Sequence, residues 1–390
     1  MLRGATSTCR THRHRWSFRL VFLPPLAFLV HKRRAFGKLA SVPLAVKGVT
    51  VARYALYVGI GMYHRHSELE GCVADARAMA EVLKHERDGD EGWPQPDPVS
   101  NMLLTEYHSE VTQEDLAARV RWLLSGVQNE DVLFYFAGHG VDNDGELLLA
   151  TSEDDERGLR SGYSIRRLIA EIRESRCKSA TVILDCCNAG LATKVDVPEG
   201  TAILAGTGAR QTAKERDGRG VFTETVVTGL QDAAADIMGQ VTAISLYNYL
   251  AGALGHAKGQ FPALKARTEK PVVLKKVKRR VDRDDLMKLR VLFSKEDSPR
   301  PVTPDHEAKE DQSVPPSRSR PYPWPDGVKK TAEQDEMDYY KRLRDAGLLE
   351  AFTRDGQKAD LFWACLDSGE VKLTPLGQYY WNLAKENQIA

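Results

Sequence analysis

Two stretches restrict what this chain can fold into more than any others: DVLFYFAGHG (131–140) and SATVILDCCNAG (179–190). Each is apolar at almost every position instead of every second one, so a strand formed there needs cover on both faces. Each also ends abruptly in glycine and polar residues. Strands of this kind belong to parallel sheets sandwiched between helices. The surrounding sequence supplies the partners. RYALYVGIG (53–61) is a third apolar run ending at glycines, and Val73, Ala76, Ala80 and Leu83 follow it at helical spacing. VSNMLLTE (99–106) reads as a strand, and Thr112 as the cap of a helix QEDLAARVRWLLSGV with a Glu and an Asp in its first turn. ELLLATS (146–152) and an amphipathic SIRRLIAEIRES lie between the two opening stretches. Beyond them come TAILAGTGA (201–209), a polar loop QTAKERDGRG (211–220), helices around FTETVVTGLQDAA and ISLYNYLAGAL, and a last apolar strand PVVL (271–274). The expected fold class is α/β, a mainly parallel sheet flanked by helices, over residues 51–275.

The flanking regions read differently. From Met1 to Ser67 there is no Asp or Glu, and RLVFLPPLAFLV (19–30) sits in the middle. Its charged start and apolar core have signal-peptide features, but two prolines interrupt it, HKRR follows it and no A-x-A site appears; it is also too short and broken to span a bilayer. Residues 1–47 are expected to be a disordered or mis-assigned extension. KKVKRR (275–280) and the Pro-, Ser- and charge-dense stretch from Ser294 to Pro325 read as a linker over residues 276–325.

Residues 328–390 read as a small α+β module: a helix DEMDYYKRLRDAGLL, two strands around LFWACL and EVKLT, and a helix PLGQYYWNLAKEN with Pro375 near its start. The end of this piece looks like the last part of a winged-helix domain. Tyr339, Tyr340, Trp363, Tyr379, Tyr380 and Trp381 have no basic stripe beside them, so the expected partner is a regulatory protein and not nucleic acid. The net charge of +1 gives no global pull toward nucleic acid or an anionic membrane. The six cysteines include no C-x-x-C spacing, which argues against a zinc site or a disulfide framework and fits a reducing cytoplasm. DNDGE (142–146) lacks the twelve-position loop of a calcium site and reads as a turn. No cofactor or metal is expected.

In an open α/β sheet, reactive groups collect at the carboxyl ends of the strands. His139 lies there between two glycines, and DCCNAG ends the other long strand. Strand alternation places Asp185 and Cys187 on one face and Cys186 on the other.

With YALYVGIG, LEGCVADA, VLFYFAGHG, VILDCCNAG and GTGARQTAKE...GRGVFTETVVTGL in this order, residues 51–275 resemble the caspase and metacaspase family of cysteine proteases. The 48-residue spacing from His139 to Cys187 is close to the caspase histidine offset of roughly 50. The resemblance implies a central, mainly parallel sheet flanked by helices and cleavage of protein substrates. The family pattern Asp-x-Cys-x-x-Gly falls on Cys187 as nucleophile, with His139 as its acid and base, while Cys186 is expected in the core. The backbone N–H groups of Gly140 and Cys187 match the family's oxyanion hole. Asp185 stands where animal caspases have glutamine, a departure toward metacaspases. In that subgroup Cys72, Asp75 and Asp185 match an acidic substrate pocket, which implies cleavage after Arg or Lys. Two positions depart from the usual pattern: Ala74 stands where Asn is usual, and Ala137 replaces a small polar residue. Arg210, Lys214, Arg216 and Arg219 would be self-cleavage sites for such an enzyme, against the plainer reading of an exposed loop. Bacterial proteases of this type often carry appended modules and act in antiviral defence by releasing a toxic effector such as a gasdermin. The alternatives are a non-catalytic caspase-like scaffold and a regulator whose C-terminal module binds nucleic acid.

Overall fold

The computed structural model describes residues 52–389 except 65, 98–100, 106–109, 154–161, 210–214, 217–218, 257–258 and 307–330. The expected N-terminal extension and most of the Pro-rich stretch therefore lie outside the described residues. Residues 51–390 form one compact unit.

The chain opens with strand β1 (Arg53–Gly59), helix α1 (Cys72–Leu83), strand β2 (Met102–Leu104) and helix α2 (Gln113–Leu124). Helix α2 begins where its sequence says it should: the Thr112 hydroxyl accepts from the Asp115 N–H, and the Asp115 carboxylate accepts from the Thr112 N–H. Strand β3 (Asp131–Ala137) leads into β4 (Gly140–Asn143), β5 (Glu146–Leu149) and β6 (Tyr163–Ser164), after which α3 (Ile165–Glu174) returns to β7 (Ser179–Asp185) and β8 (Thr201–Ala205). A short hairpin of β9 (Glu215–Arg216) and β10 (Arg219–Gly220) precedes α4 (Val221–Thr228); β11 (Gln240–Thr242), α5 (Ala243–Leu250), β12 (Ala263–Arg267) and β13 (Val273–Lys276) complete the region.

The central sheet runs β12-β8-β7-β3-β1-β2. Every pairing in it is parallel except that of β12 with β8. Alternate residues of β1, β3 and β7 enter two separate cores. Val132, Phe134, Phe136, Val182, Leu184 and Cys186 face one, under α2 and α3; Leu133, Tyr135 and Ile183 face the other, under α1, α4 and α5. Continuous apolarity in the sequence is thus cover on two sides.

Two of the expected strands form, but outside the central sheet. Glu146–Leu149 lies in a separate antiparallel sheet, β4-β5-β6, and PVVL contributes β13, which pairs antiparallel with β11 away from the central sheet. The edge strand that closes the central sheet is Ala263–Arg267, which is half-buried over its first three residues and exposed at Ala266 and Arg267. DNDGE forms the β4–β5 turn, where the Gly145 N–H donates to Asp142 Oδ1 at 2.7 Å and Asp144 and Gly145 both take left-handed φ values of 52° and 86°.

The expected linker is partly folded. Helix α6 (Arg283–Leu292) and strand β14 (Arg300–Pro301) fall inside it, and they join α7 (Ala332–Asp345), β15 (Leu349–Phe352), β16 (Lys358–Ala359), α8 (Leu361–Leu366), β17 (Glu370–Leu373) and α9 (Pro375–Lys385). The sheet order β14-β17-β15-β16 is antiparallel throughout. LFWACL is a helix and not a strand: Asp360 caps it by accepting from the Trp363 N–H, and Leu361, Ala364 and Cys365 are buried at helical spacing. The module's core also takes in Ile237 and Met238 from the loop after α4. Among the described residues no helix is long and apolar enough to cross a membrane.

Candidate active site

Strands β3 and β7 are neighbours, with Ala137 opposite Asp185. Two residues beyond that pair, the chain reaches His139 on one strand and Cys187 on the other, both half-buried. The two loops interlock. Gly138 N–H donates to the Asp185 carbonyl at 3.3 Å, and the Asn188 amide donates to the Gly140 carbonyl at 3.2 Å. A Cβ on Gly140 would lie 2.1 Å from the Cys187 carbonyl oxygen and 2.8 Å from Cys186 Sγ, so only glycine lets the histidine loop seat against the cysteine loop. Asn188 takes φ 59°, turning the chain immediately after Cys187. Thr207 fixes that turn: its hydroxyl donates to the Cys186 carbonyl at 2.9 Å and accepts from the Ala189 N–H at 3.2 Å.

The histidine is oriented from three sides. His139 Nε2 sits 2.7 Å from the Ser67 carbonyl oxygen. A carbonyl only accepts, so Nε2 carries the hydrogen and the neutral ring presents Nδ1 as a base. The Tyr63 hydroxyl accepts the His139 backbone N–H at 2.9 Å, and the Tyr63 ring stands edge-on to the imidazole at 4.7 Å. His66 lies tilted against it at 5.1 Å. Burial, above all, and the neighbouring Cys72 push the Tyr63 phenol well above its usual range, against the opposing pull of the His139 N–H. It stays a neutral hydroxyl. Tyr63, His66 and Ser67 were not anticipated in the sequence, where GMYHRHS has no periodicity to mark it.

The two cysteines of DCCNAG diverge. Cys186 is wholly buried among Leu184, Ala189 and Leu191. Burial first, then Asp185, Cys187 and Cys72, raise its thiol well above the ordinary value. It is a core residue held as thiol. Cys187 is half-buried in the turn that follows Asp185, the last residue of β7, so the strand alternation expected through residue 187 stops two residues short of it.

At the end of β7 lies an acidic pair. Asp75, in the first turn of α1, and Asp185, at the end of β7, are 4% and 6% exposed, and both carboxylates point at Gly220. Asp75 Oδ2 accepts the Gly220 N–H at 2.9 Å. Asp185 Oδ2 accepts from the Thr223 N–H at 3.2 Å and from its hydroxyl at 2.6 Å. The Thr223 oxygen in turn lies 2.6 Å from the Tyr135 hydroxyl. Since the Thr223 proton is committed to Asp185, Tyr135 is the donor in that link. Burial, then Asp185 and Asp75, raise the Tyr135 phenol well above its usual range, which keeps it a donor. Cys72, the first residue of α1, is buried on the same side. Asp75 and Asp185, 110 positions apart in the chain, are therefore brought to one spot by α1, which packs on β1 and β3 and against α4, and by the start of α4. Gly220, Thr223 and Tyr135 complete it; the first two lie in GRGVFTE and Tyr135 in VLFYFAGHG, and neither motif marks them for this place. Arg210 and Lys214 lie outside the described residues; Arg219 is exposed on β10.

A parallel sheet carrying a histidine and a cysteine on adjacent strand ends, braced by backbone carbonyls and backed by acid, has the layout of a cysteine peptidase of the α/β class. The caspase domain family model matches residues 52–280, and the chain belongs to the caspase/metacaspase-like family of cysteine proteases. Metacaspase-1 of Schizosaccharomyces pombe is 28% identical over 203 residues, covering 48% of this chain and 44% of its own length. Metacaspase-3 of Trypanosoma brucei brucei is 24% identical over 229 residues, covering 53% of this chain and 60% of its own. The chain thus spans about half the length of these curated relatives. The crystal structure of caspase-1 from Spodoptera frugiperda superposes at a TM-score of 0.44 with 12% identity, over 62% of this chain and 99% of that one, too loosely to bear on any residue's role.

Proposed function

We propose that this chain is a cysteine endopeptidase that hydrolyses peptide bonds after Arg or Lys. The observation that carries this reading is the meeting of two buried carboxylates, Asp75 and Asp185, at the end of β7, the strand that leads to Cys187 two residues on. Paired carboxylates in a water-poor recess attract a guanidinium or ammonium and repel an acidic side chain.

In this reading His139 Nδ1 takes the Cys187 proton, and the thiolate adds to the scissile carbonyl. The resulting oxyanion is met by the N–H groups of Gly140 and Cys187. The imidazolium returns its proton to the leaving amine as the carbon–nitrogen bond breaks, and a water, deprotonated by the same nitrogen, then opens the thioester and restores the thiol. The Ser67 carbonyl holds the ring in the tautomer that both half-reactions use, and Cys72 lines the acidic recess. No step calls for a cofactor.

The physiological substrate is a protein with an accessible Arg or Lys; a gasdermin-like effector of antiviral defence, as the sequence resemblance implies, is the specific candidate. The peptidase domain covers residues 51–275 in this reading, and residues 328–390, with the folded part of the preceding segment, serve as a docking or sensor module for a regulatory partner in the cytoplasm. Fluorogenic peptides ending in Arg, Lys or Asp, tried with wild type, Cys187→Ala and Cys186→Ala, test the proposal. Turnover of the Arg and Lys peptides that vanishes in Cys187→Ala and persists in Cys186→Ala is expected. Activity surviving in Cys187→Ala, or a preference for Asp, overturns it.

A further inference from the structure

The Cys187 N–H that meets the oxyanion belongs to the peptide unit whose oxygen is the Cys186 carbonyl. That unit is planar and trans, so whatever fixes the oxygen also fixes the direction of the N–H, which points the opposite way. A side chain from the neighbouring strand end holds the oxygen. The Thr207 hydroxyl donates to the Cys186 carbonyl at 2.9 Å and accepts the Ala189 N–H at 3.2 Å. Thr207 is 0% exposed, so water does not compete for these bonds. The hydroxyl is therefore committed to the two peptide units that flank Cys187 and Asn188. Thr207 is itself anchored just beyond β8. The Gly206 N–H donates to the Leu184 carbonyl at 2.9 Å, and the Gly206 carbonyl accepts from the buried Gln260 amide at 2.8 Å. On the other side, the Cys187 carbonyl lies against Gly140, which carries the second oxyanion donor. Backbone contact thus sets the spacing of the two donors, and Thr207 sets the tilt of one of them.

We propose that Thr207 is a positioning residue for catalysis. Its hydroxyl fixes the plane of the Cys186–Cys187 peptide and, by drawing electron density toward the Cys186 oxygen, strengthens the Cys187 N–H as a donor to the oxyanion. The inference rests on the peptidase reading above and adds to it a residue buried behind the cysteine loop, out of the substrate's reach. The oxyanion exists only after the thiolate has added to the scissile carbonyl. Loss of the hydroxyl therefore slows turnover without weakening substrate binding, and leaves alone any reaction of Cys187 that develops no oxyanion.

The test compares the full-length wild type with Thr207→Val, which keeps the shape and loses the hydroxyl, and Thr207→Ser, which keeps the hydroxyl. Three quantities are measured. The first is kcat and KM on whichever of the Arg, Lys and Asp peptides the wild type cleaves best. The second is inhibition by the matching peptidyl aldehyde, whose hemithioacetal oxygen takes the oxyanion position. The third is the rate of Cys187 alkylation by iodoacetamide, a displacement that forms no oxyanion. Expected in Thr207→Val is a kcat lowered about 10- to 50-fold, short of the roughly 100- to 1000-fold cost of removing a whole donor. KM and the alkylation rate stay within about twofold, and aldehyde inhibition weakens by about the same factor as kcat. Thr207→Ser returns kcat to within about threefold of wild type, since serine offers the same donor and acceptor. Unchanged kcat in Thr207→Val overturns the proposal. So does alkylation that falls in step with kcat, which would place the loss in the dyad or the fold, and so does a Thr207→Ser as slow as Thr207→Val. Where Thr207→Val fails to fold, Thr207→Cys, whose thiol is a weak donor, takes its place with the same expectations and the same refutations. A wild type that cleaves none of the three peptides refutes the peptidase reading, and an aldehyde that binds wild type no better than the matching alcohol refutes the oxyanion site. Either result is read from the wild-type arm alone and takes the proposal down with it.

Discussion

Cys186 and Cys187 differ by one position and by everything a thiol can do. Strand alternation predicts that they diverge; in the structure β7 ends at Asp185 and the turn that follows leaves Cys186 fully buried and Cys187 half-buried. Iodoacetamide at pH 8 is expected to modify Cys187 and leave Cys186 untouched, because burial holds Cys186 protonated and out of reach; peptide mapping by mass spectrometry checks this. Tyr63 was not legible. It is a single tyrosine after GIGM, and its importance comes from the fold, which carries its hydroxyl to the His139 N–H. Tyr63→Phe keeps the ring contact and removes the acceptor. It is expected to lower kcat by about tenfold with KM nearly unchanged, since it disturbs the histidine's placement and not the recess for the substrate. A change confined to KM would refute a positioning role.

At the scale of elements, the start of α4 ties the acidic pair together. Its first-turn Thr223 satisfies Asp185 and links it to Tyr135. Thr223→Val keeps the shape and removes both hydroxyl bonds, leaving a buried carboxylate and phenol short of partners; a destabilisation of about 1–3 kcal/mol is expected in urea unfolding. No measurable change would mean the hydroxyl contributes nothing. The strands that line the site were readable because each is buried on both faces and so keeps an unbroken apolar sequence. Ala263–Arg267 was missed for the opposite reason: an edge strand with lysine and arginine has no such run. LFWACL was misread because six apolar residues have no period long enough to separate helix from strand, and the decisive signal was the capping Asp360 before it.

For the whole molecule, the C-terminal module is not an appendage on a free tether. Ile237 and Met238 are buried in its core, and the Arg280 and Val281 N–H groups donate to the Ile237 carbonyl. Composition alone hid this, because α6 lies in a charged stretch and fully buries only Leu286 and Leu289, with Met287 and Leu292 packed partly buried beside them. A chain ending at residue 281 exposes Ile237 and Met238 and is expected to melt below the full-length protein; calorimetry of the two checks this. The pH dependence follows from the buried acids that stay neutral. Burial raises the pKa of Tyr57, Tyr63, Tyr135 and Cys186 above ordinary values of 10.0 for the phenols and 9.0 for the thiol. The unfolded chain releases these protons first, so the folded state binds more protons above that range and stability falls as pH rises. The melting temperature is expected to hold below pH 9 and to decline beyond it; a flat profile to pH 11 would contradict that, the values marking the ordinary thiol and phenol range. Nucleophile, base and acidic recess belong to one site in the proposed enzyme, and a single labelling experiment reads all three. Full-length protein is treated with peptidyl chloromethyl ketones ending in Arg or in Asp, and the alkylated residue is located by mass spectrometry. The account predicts that the Arg reagent modifies Cys187 alone and that the Asp reagent modifies nothing. Labelling of Cys186 or Cys72, or equal reaction with the Asp reagent, would contradict it.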